Sequence, residues 1–185
     1  MPRPVTVTLL VLLAGLVLWG MRAGWRARAR RSTALVPAVW PAPAGDAALG
    51  APRTDELEGV YVSTTRSGDW LDRVAAHGLG VRSGARVRLF DAGLWVGRSG
   101  GPDLFVPTAA LVAAGTSPGM AGKVVAKDGL VVVTWRAPGA DAPLLDTGLR
   151  LRRAADRPVL VEALTTTIDD ASGPTGTDEQ TKESA

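Results

Sequence analysis

Residues able to act as acids, bases, nucleophiles or ligands are few in this chain and poorly placed for one another. His77 is the only histidine and there is no cysteine. A zinc site, a histidine pair and a thiolate nucleophile are therefore out of reach, and a serine–histidine–acid triad would hang on one imidazole. That imidazole stands just before Gly78, where it can bond the last carbonyls of a helix, and a structural role is expected for it. Asp69 and Asp72 could be paired carboxylates for acid–base work, but both fall in the first turn of a helix expected over 69–76, where acids are favoured without catalysis. Residues 117–124 have the outline of a phosphate-binding loop, yet Ser117 stands where its first glycine belongs and Val124 where a hydroxyl must reach magnesium. A turn leading into a strand accounts for them. Gly78, Gly80 and Gly84 follow a helix and precede a strand, the reverse of a dinucleotide loop. No catalytic, cofactor-binding or metal-binding residue is expected, and no cofactor.

The other candidates are cationic. Arg82, Arg86 and Arg88 share parity along one expected strand and Arg150 and Arg152 along another, so each set faces one side of a sheet. With Arg22, Arg26, Arg28, Arg30 and Arg31, the residues Arg82, Arg86 and Arg88 are candidate contacts for anionic lipid, at about 1 kcal/mol each near a membrane surface. The alternative for the strand arginines is a solvated face paired with neighbouring acids. By region, the net charge is +6 over residues 1–53, +1 over 54–168 and −4 over 169–185. A nucleic-acid binder concentrates its positive charge on the folded unit, so no nucleic-acid partner is expected despite a pI of about 9.9.

The basic flank belongs to a membrane segment. Val5 to Met21 carries no charge in seventeen residues, ten of them Leu or Val, enough to favour insertion by roughly 3 to 6 kcal/mol. Five arginines follow it and only Arg3 and the amino terminus precede it, so the positive-inside rule places the N-terminus outside and the rest in the cytoplasm, in a single-pass plasma-membrane protein. A cleaved signal has its charge on the other side of the apolar stretch and small residues where these arginines stand.

Four regions follow: an anchor with its basic flank over 1–31, a Pro/Ala-rich linker over 32–54, a folded domain over 55–168 and a disordered acidic tail over 169–185. In polyproline II the linker would hold the domain up to roughly 70 Å from the bilayer. Within the domain, alternation and glycine turns predict strands over 57–65, 85–90, 94–98, 104–107, 123–126, 130–136 and 147–152. Asp91-Ala92-Gly93 and Asp128-Gly129 are read as turns. Trp70, Leu71 and Val74 are expected to pack the short helix over 69–76 on the sheet. A final helix is expected from Asp156 as N-cap, with Val159, Leu160, Ala163, Leu164 and Ile168 as its apolar stripe. The fold class is mainly β, a partly open barrel of about seven strands capped by a C-terminal helix.

Gly59-Val60-Tyr61-Val62-Ser63-Thr64-Thr65, Gly68-Asp69-Trp70-Leu71-Asp72-Arg73-Val74, Gly122-Lys123-Val124-Val125, Thr134-Trp135 and Asp146-Thr147-Gly148-Leu149-Arg150 resemble a family of small actinobacterial membrane proteins with one N-terminal span and a pleckstrin-homology-like domain. The similarity covers about residues 5 to 168, outside the linker. It implies a seven-stranded barrel capped by a helix and no enzyme activity. Some members are described as transporters or exported proteins, although one helix cannot enclose a substrate path. The expectation is a membrane-anchored interaction module, a scaffold or adaptor with a protein partner or an inner-leaflet contact. The rivals are an accessory subunit of a membrane transport or envelope complex and an enzyme with an unrecognised site.

Overall fold

The computed structural model describes residues 3–43, 45–120, 123–124 and 129–173. Helix α1 (Arg3–Leu35) contains a stretch, Val7–Gly24, long and apolar enough to cross a bilayer, and none of that stretch is buried against the domain. Then follow β1 (Leu57–Arg66), β2 (Asp69–Arg73), β3 (Ser83–Phe90), β4 (Gly93–Arg98), β5 (Leu104–Pro107), β6 (Leu111–Ser117), β7 (Gly119–Met120), β8 (Lys123–Val124), β9 (Leu130–Arg136), β10 (Leu144–Leu151) and α2 (Asp156–Ser172). The main sheet is antiparallel in the order β5-β4-β3-β1-β10-β9-β6, with β2 paired to the end of β1 and β7-β8 forming a separate hairpin.

Alternation along the strands builds the core. Ala85, Val87 and Leu89 of β3 face inward beside Leu94 and Val96 of β4, Val131, Val133 and Trp135 of β9, and Leu145, Leu149 and Leu151 of β10. Each such side chain contributes about 1.5–3 kcal/mol on burial. Helix α2 closes this core with Leu160 and Leu164, both fully buried, and packs on β6 and β9 at one end of the sheet and on β3 from the other half. The sheet thus curls round the helix into the expected open barrel. A register shift between Tyr61 and Ser63 bulges β1 and gives Val62 to a small second cluster with Met120 and Leu130, under the β7-β8 hairpin. Inside the barrel the Tyr61 hydroxyl lies 2.6 Å from Thr64 Oγ1 and donates to the Leu79 carbonyl at 2.7 Å; Thr147 Oγ1, 2.7 Å from Thr64 Oγ1, accepts from Trp135 Nε1.

Three expectations change. The helix over 69–76 is instead β2 followed by a 3-10 turn, Ala76–Gly78. Asp69 Oδ1 accepts the amides of Leu71 and Asp72 at 3.1 and 3.2 Å, and the Val74 amide bonds the Thr64 carbonyl, so the ladder continued from β1 outcompetes a helix of two turns. Trp70 and Leu71 consequently stand exposed, and only Val74 of that trio is buried.

The linker over 32–54 is not a spacer. Helix α1 runs on to Leu35, Val36 is fully buried in the barrel core with Val39 and Trp40 packed beside it, and Trp40 Nε1 donates to the Arg136 carbonyl. Farther on Leu49 is buried, the Ala51 amide and Arg53 both bond Asp91, and Pro52 bridges Phe90. Apolar residues at irregular intervals can each fill a pocket without producing any helical or strand period.

Helix α2 starts one residue after Ala155, so Asp156 lies in its first turn and is not the cap. It continues through Asp169 and Asp170 to Ser172, with Val159 of the expected stripe exposed. The rest of the expected acidic tail, Asp128 of the expected hairpin turn, and residues 125–126 of an expected strand lie outside the described residues.

Candidate functional site

The outward side of the sheet carries the arginines. Cross-strand register sets Ser99, Gly84, Val60 and Arg150 in one row and Gly97, Arg86, Glu58 and Arg152 in the next, running from β4 through β3 and β1 to β10. Gly84 and Gly97 make the middle of this face shallow. A side chain at Gly84 would come within 2.8 Å of Ser99 Oγ, and one at Gly97 would collide with the indole of Trp95, which lies across it. Between the Trp95 wall and the β10 wall runs a trough of about 770 Å³ that also meets Arg98, Asp103 and Arg157 at its ends. Arg86, Arg150, Arg152 and Arg157 against Glu58 and Asp103 leave it net positive, the Arg98 guanidinium being turned into the barrel.

Its cations differ in how firmly they are held. Arg98 is buried: Nε donates to the Pro102 carbonyl at 2.6 Å, Nη1 donates to the Gly78 carbonyl at 3.0 Å, and the guanidinium stacks 4.7 Å from the Tyr61 ring centre. It ties two turns to the barrel. Arg152 pairs with Glu58 at 2.8 Å and Arg86 with Glu56 at 3.7 Å. Arg150 is exposed, and no ion pair among the described residues involves it.

The arginines singled out in sequence are thereby separated. Arg86 lies in the trough. Arg88 is half-buried, its Nε donating to the Thr54 carbonyl and its guanidinium 5.3 Å from the Phe90 ring centre, so it braces the segment before β1. Arg82 precedes β3 and is not on its face. Arg22 and Arg26 are exposed on α1, and Arg28, Arg30 and Arg31 fall within the same helix. Trp95 and Arg157 were not candidates in sequence. The parity of Trp95 opposite Arg88 was the available signal, and Arg157 joins the trough only through the turn between β10 and α2.

A second surface surrounds the entry of α1. Arg66, Asp72, Arg73, Val74, Pro143 and Leu145 gather round Val36. Elsewhere on the domain Trp70, Leu71 and Val81 are 52%, 59% and 51% exposed, and Trp70 borders a separate shallow cavity with Ala113, Thr116, Met120 and Val132. His77, at φ 53°, has Nε2 2.9 Å from the carbonyl of Val36, the residue that follows α1, so its contact is structural and lies at the C-terminal end of that helix and not of its own 3-10 turn. Ser117 Oγ bonds both the amide and the carbonyl of Gly119, which makes the start of the loop-like motif a turn between β6 and β7. Among the described residues no three His, Asp or Glu side chains group as a metal site.

Residues 39–165 match the family model described as Bacterial PH domain-like. No curated protein matches the chain.

Proposed function

Because the chain belongs to the bacterial PH domain-like family, with an N-terminal helix apolar enough to span a membrane, we propose that it is a membrane-anchored interaction module. The domain sits on the cytoplasmic face, holds a protein partner and performs no chemistry of its own. One observation carries this reading: α1 continues without a break past its cationic flank, and the next residue, Val36, is in the domain core. Gly24 to Leu35 rises about 16 Å, so the anchor and the domain form one piece and the domain rides close above the headgroups. A removable signal has no use for residues whose continuation fills the core.

The surface round the α1 entry is the part of the domain nearest the lipid. Arg66 and Arg73, which line that entry, are cationic side chains of the kind suited to an inner-leaflet contact. Arg22, Arg26, Arg28, Arg30 and Arg31 meet anionic headgroups from the helix itself.

Topology reporters test the orientation. A fluorescent protein that matures only in the cytoplasm and an enzyme active only after export are fused separately after Gly173, beyond the end of α2. Fluorescence without exported activity is the expected result; exported activity without fluorescence would place the domain outside the cell and end this reading.

A further inference from the structure

We infer that the trough between Trp95 and Arg150 is a docking site for an extended acidic segment of a partner protein. The inference rests on the reading of the domain as an interaction module and adds the surface and the chemistry of the partner.

Spacing selects the ligand. Arg150 lies on β10 and Arg152 just past its end, where the Arg152 amide still bonds the Glu58 carbonyl, so the two sit about 6.8 Å apart in line with the strand. An extended chain lying beside them repeats its own side chains at that interval, so alternate carboxylates meet successive guanidiniums in register. Arg86 stands two strands away, about 10 Å across the sheet. Such a spread does not converge on one compact phosphate. Trp95 to Arg150 spans three strand spacings, about 14 Å, enough for one extended chain. Gly84 leaves one place near the middle of the trough without a side chain, where an incoming backbone can approach the sheet, while Gly97 is covered by the Trp95 indole.

The trough already holds the carboxylates of Glu58 and Asp103, and Glu56 reaches Arg86 from outside its lining. Glu58 on Arg152 and Glu56 on Arg86 show the pairing geometry that a partner's acids would use, and Arg150 offers a place beside them with no acid of its own among the described residues. Trp95 provides a half-buried ring against which one apolar side chain of the segment packs. Tryptophan flanked by arginine is the composition that dominates binding energy at protein interfaces.

The full chain in neutral detergent is titrated into a fluorescent peptide alternating glutamate and threonine round one phenylalanine, and into the same peptide with lysine for glutamate. The acidic peptide binds, added salt weakens it, and the lysine peptide does not bind. Arg150→Glu weakens binding about tenfold through one reversed contact, while its thermal unfolding stays that of the parent because Arg150 is exposed and has no ion pair among the described residues. Trp95→Leu weakens it independently. Equal binding of both peptides, unchanged affinity in Arg150→Glu, or complete displacement by inorganic pyrophosphate would overturn the assignment, the last by revealing a compact-anion site. Photocrosslinking in cells from positions 86 and 150 separates this from the underlying reading. A partner captured elsewhere on the domain but not from these positions sinks the trough alone, whereas an exported domain sinks both.

Discussion

Tyr61 is the only tyrosine in the chain, and burial, outweighing its bonds to Thr64 and the Arg98 charge, pushes its hydroxyl up to about 12. A raised acid favours the native state while it remains protonated. The contribution is complete below the unfolded value near 10, fades as pH rises from there, and is gone above about 12; two pKa units correspond to about 3 kcal/mol. Urea unfolding at pH 8 and pH 11 should therefore show a loss that Tyr61→Phe lacks. At pH 8 that variant should itself be about 1–3 kcal/mol less stable, because the Leu79 carbonyl loses its hydroxyl donor and Thr64 a partner. Equal alkaline losses in the two proteins would remove Tyr61 as the titrating group. Little of this network was legible in sequence. Ser63, Thr64 and Thr65 are all buried, against the alternation expected of β1, because the bulge at Val62 changes which side chains face inward.

Elements with a strong pattern emerged as expected. β3 alternates between apolar and polar residues, β9 and β5 fall on their expected spans, and α2 buries its expected stripe except for Val159. Elements without a pattern did not: β6, Leu-Val-Ala-Ala-Gly-Thr-Ser, has no alternation, and its state is set by pairing with β9. β2 shows the opposite failure, a plausible helical start overruled by the neighbouring strand. The β7-β8 hairpin depends on a similar long-range fit, since Met120 occupies the space above Gly148. A Cβ there would stand 2.6 Å from Met120 Sδ. Gly148→Ala should cost about 1–3 kcal/mol through overpacking, and Gly148→Ala combined with Met120→Ala should cost less than the two changes summed. Strict additivity in chemical denaturation would mean that the methionine does not rest on this glycine.

At the scale of the whole molecule, the decisive stretch is the one whose composition resembled a linker. Val36, Trp40 and Leu49 pack against the domain, and Asp91, which accepts both Arg53 Nε at 2.9 Å and the Ala51 amide at 3.0 Å, clamps the stretch onto the β3-β4 turn. The Arg53 guanidinium and the Ala51 amide hold the Asp91 carboxyl below its ordinary pKa. Protonation therefore opposes the clamp, whose contribution is present above the usual aspartate range and is lost as pH falls through the lowered value. Trypsin reads this directly. A solvated tether would be cut after Arg53 at once, but the Arg53 and Thr54 amides both bond the Leu89 carbonyl, and a protease must first pull that backbone free. Limited digestion at neutral pH should leave the bond between residues 53 and 54 intact, and Asp91→Asn should speed its cleavage without exposing sites in β3 or β9. Prompt cleavage after Arg53 in the parent protein would restore the flexible tether, detach the domain from the anchor, and remove the reason for expecting one fixed face of it to meet the bilayer.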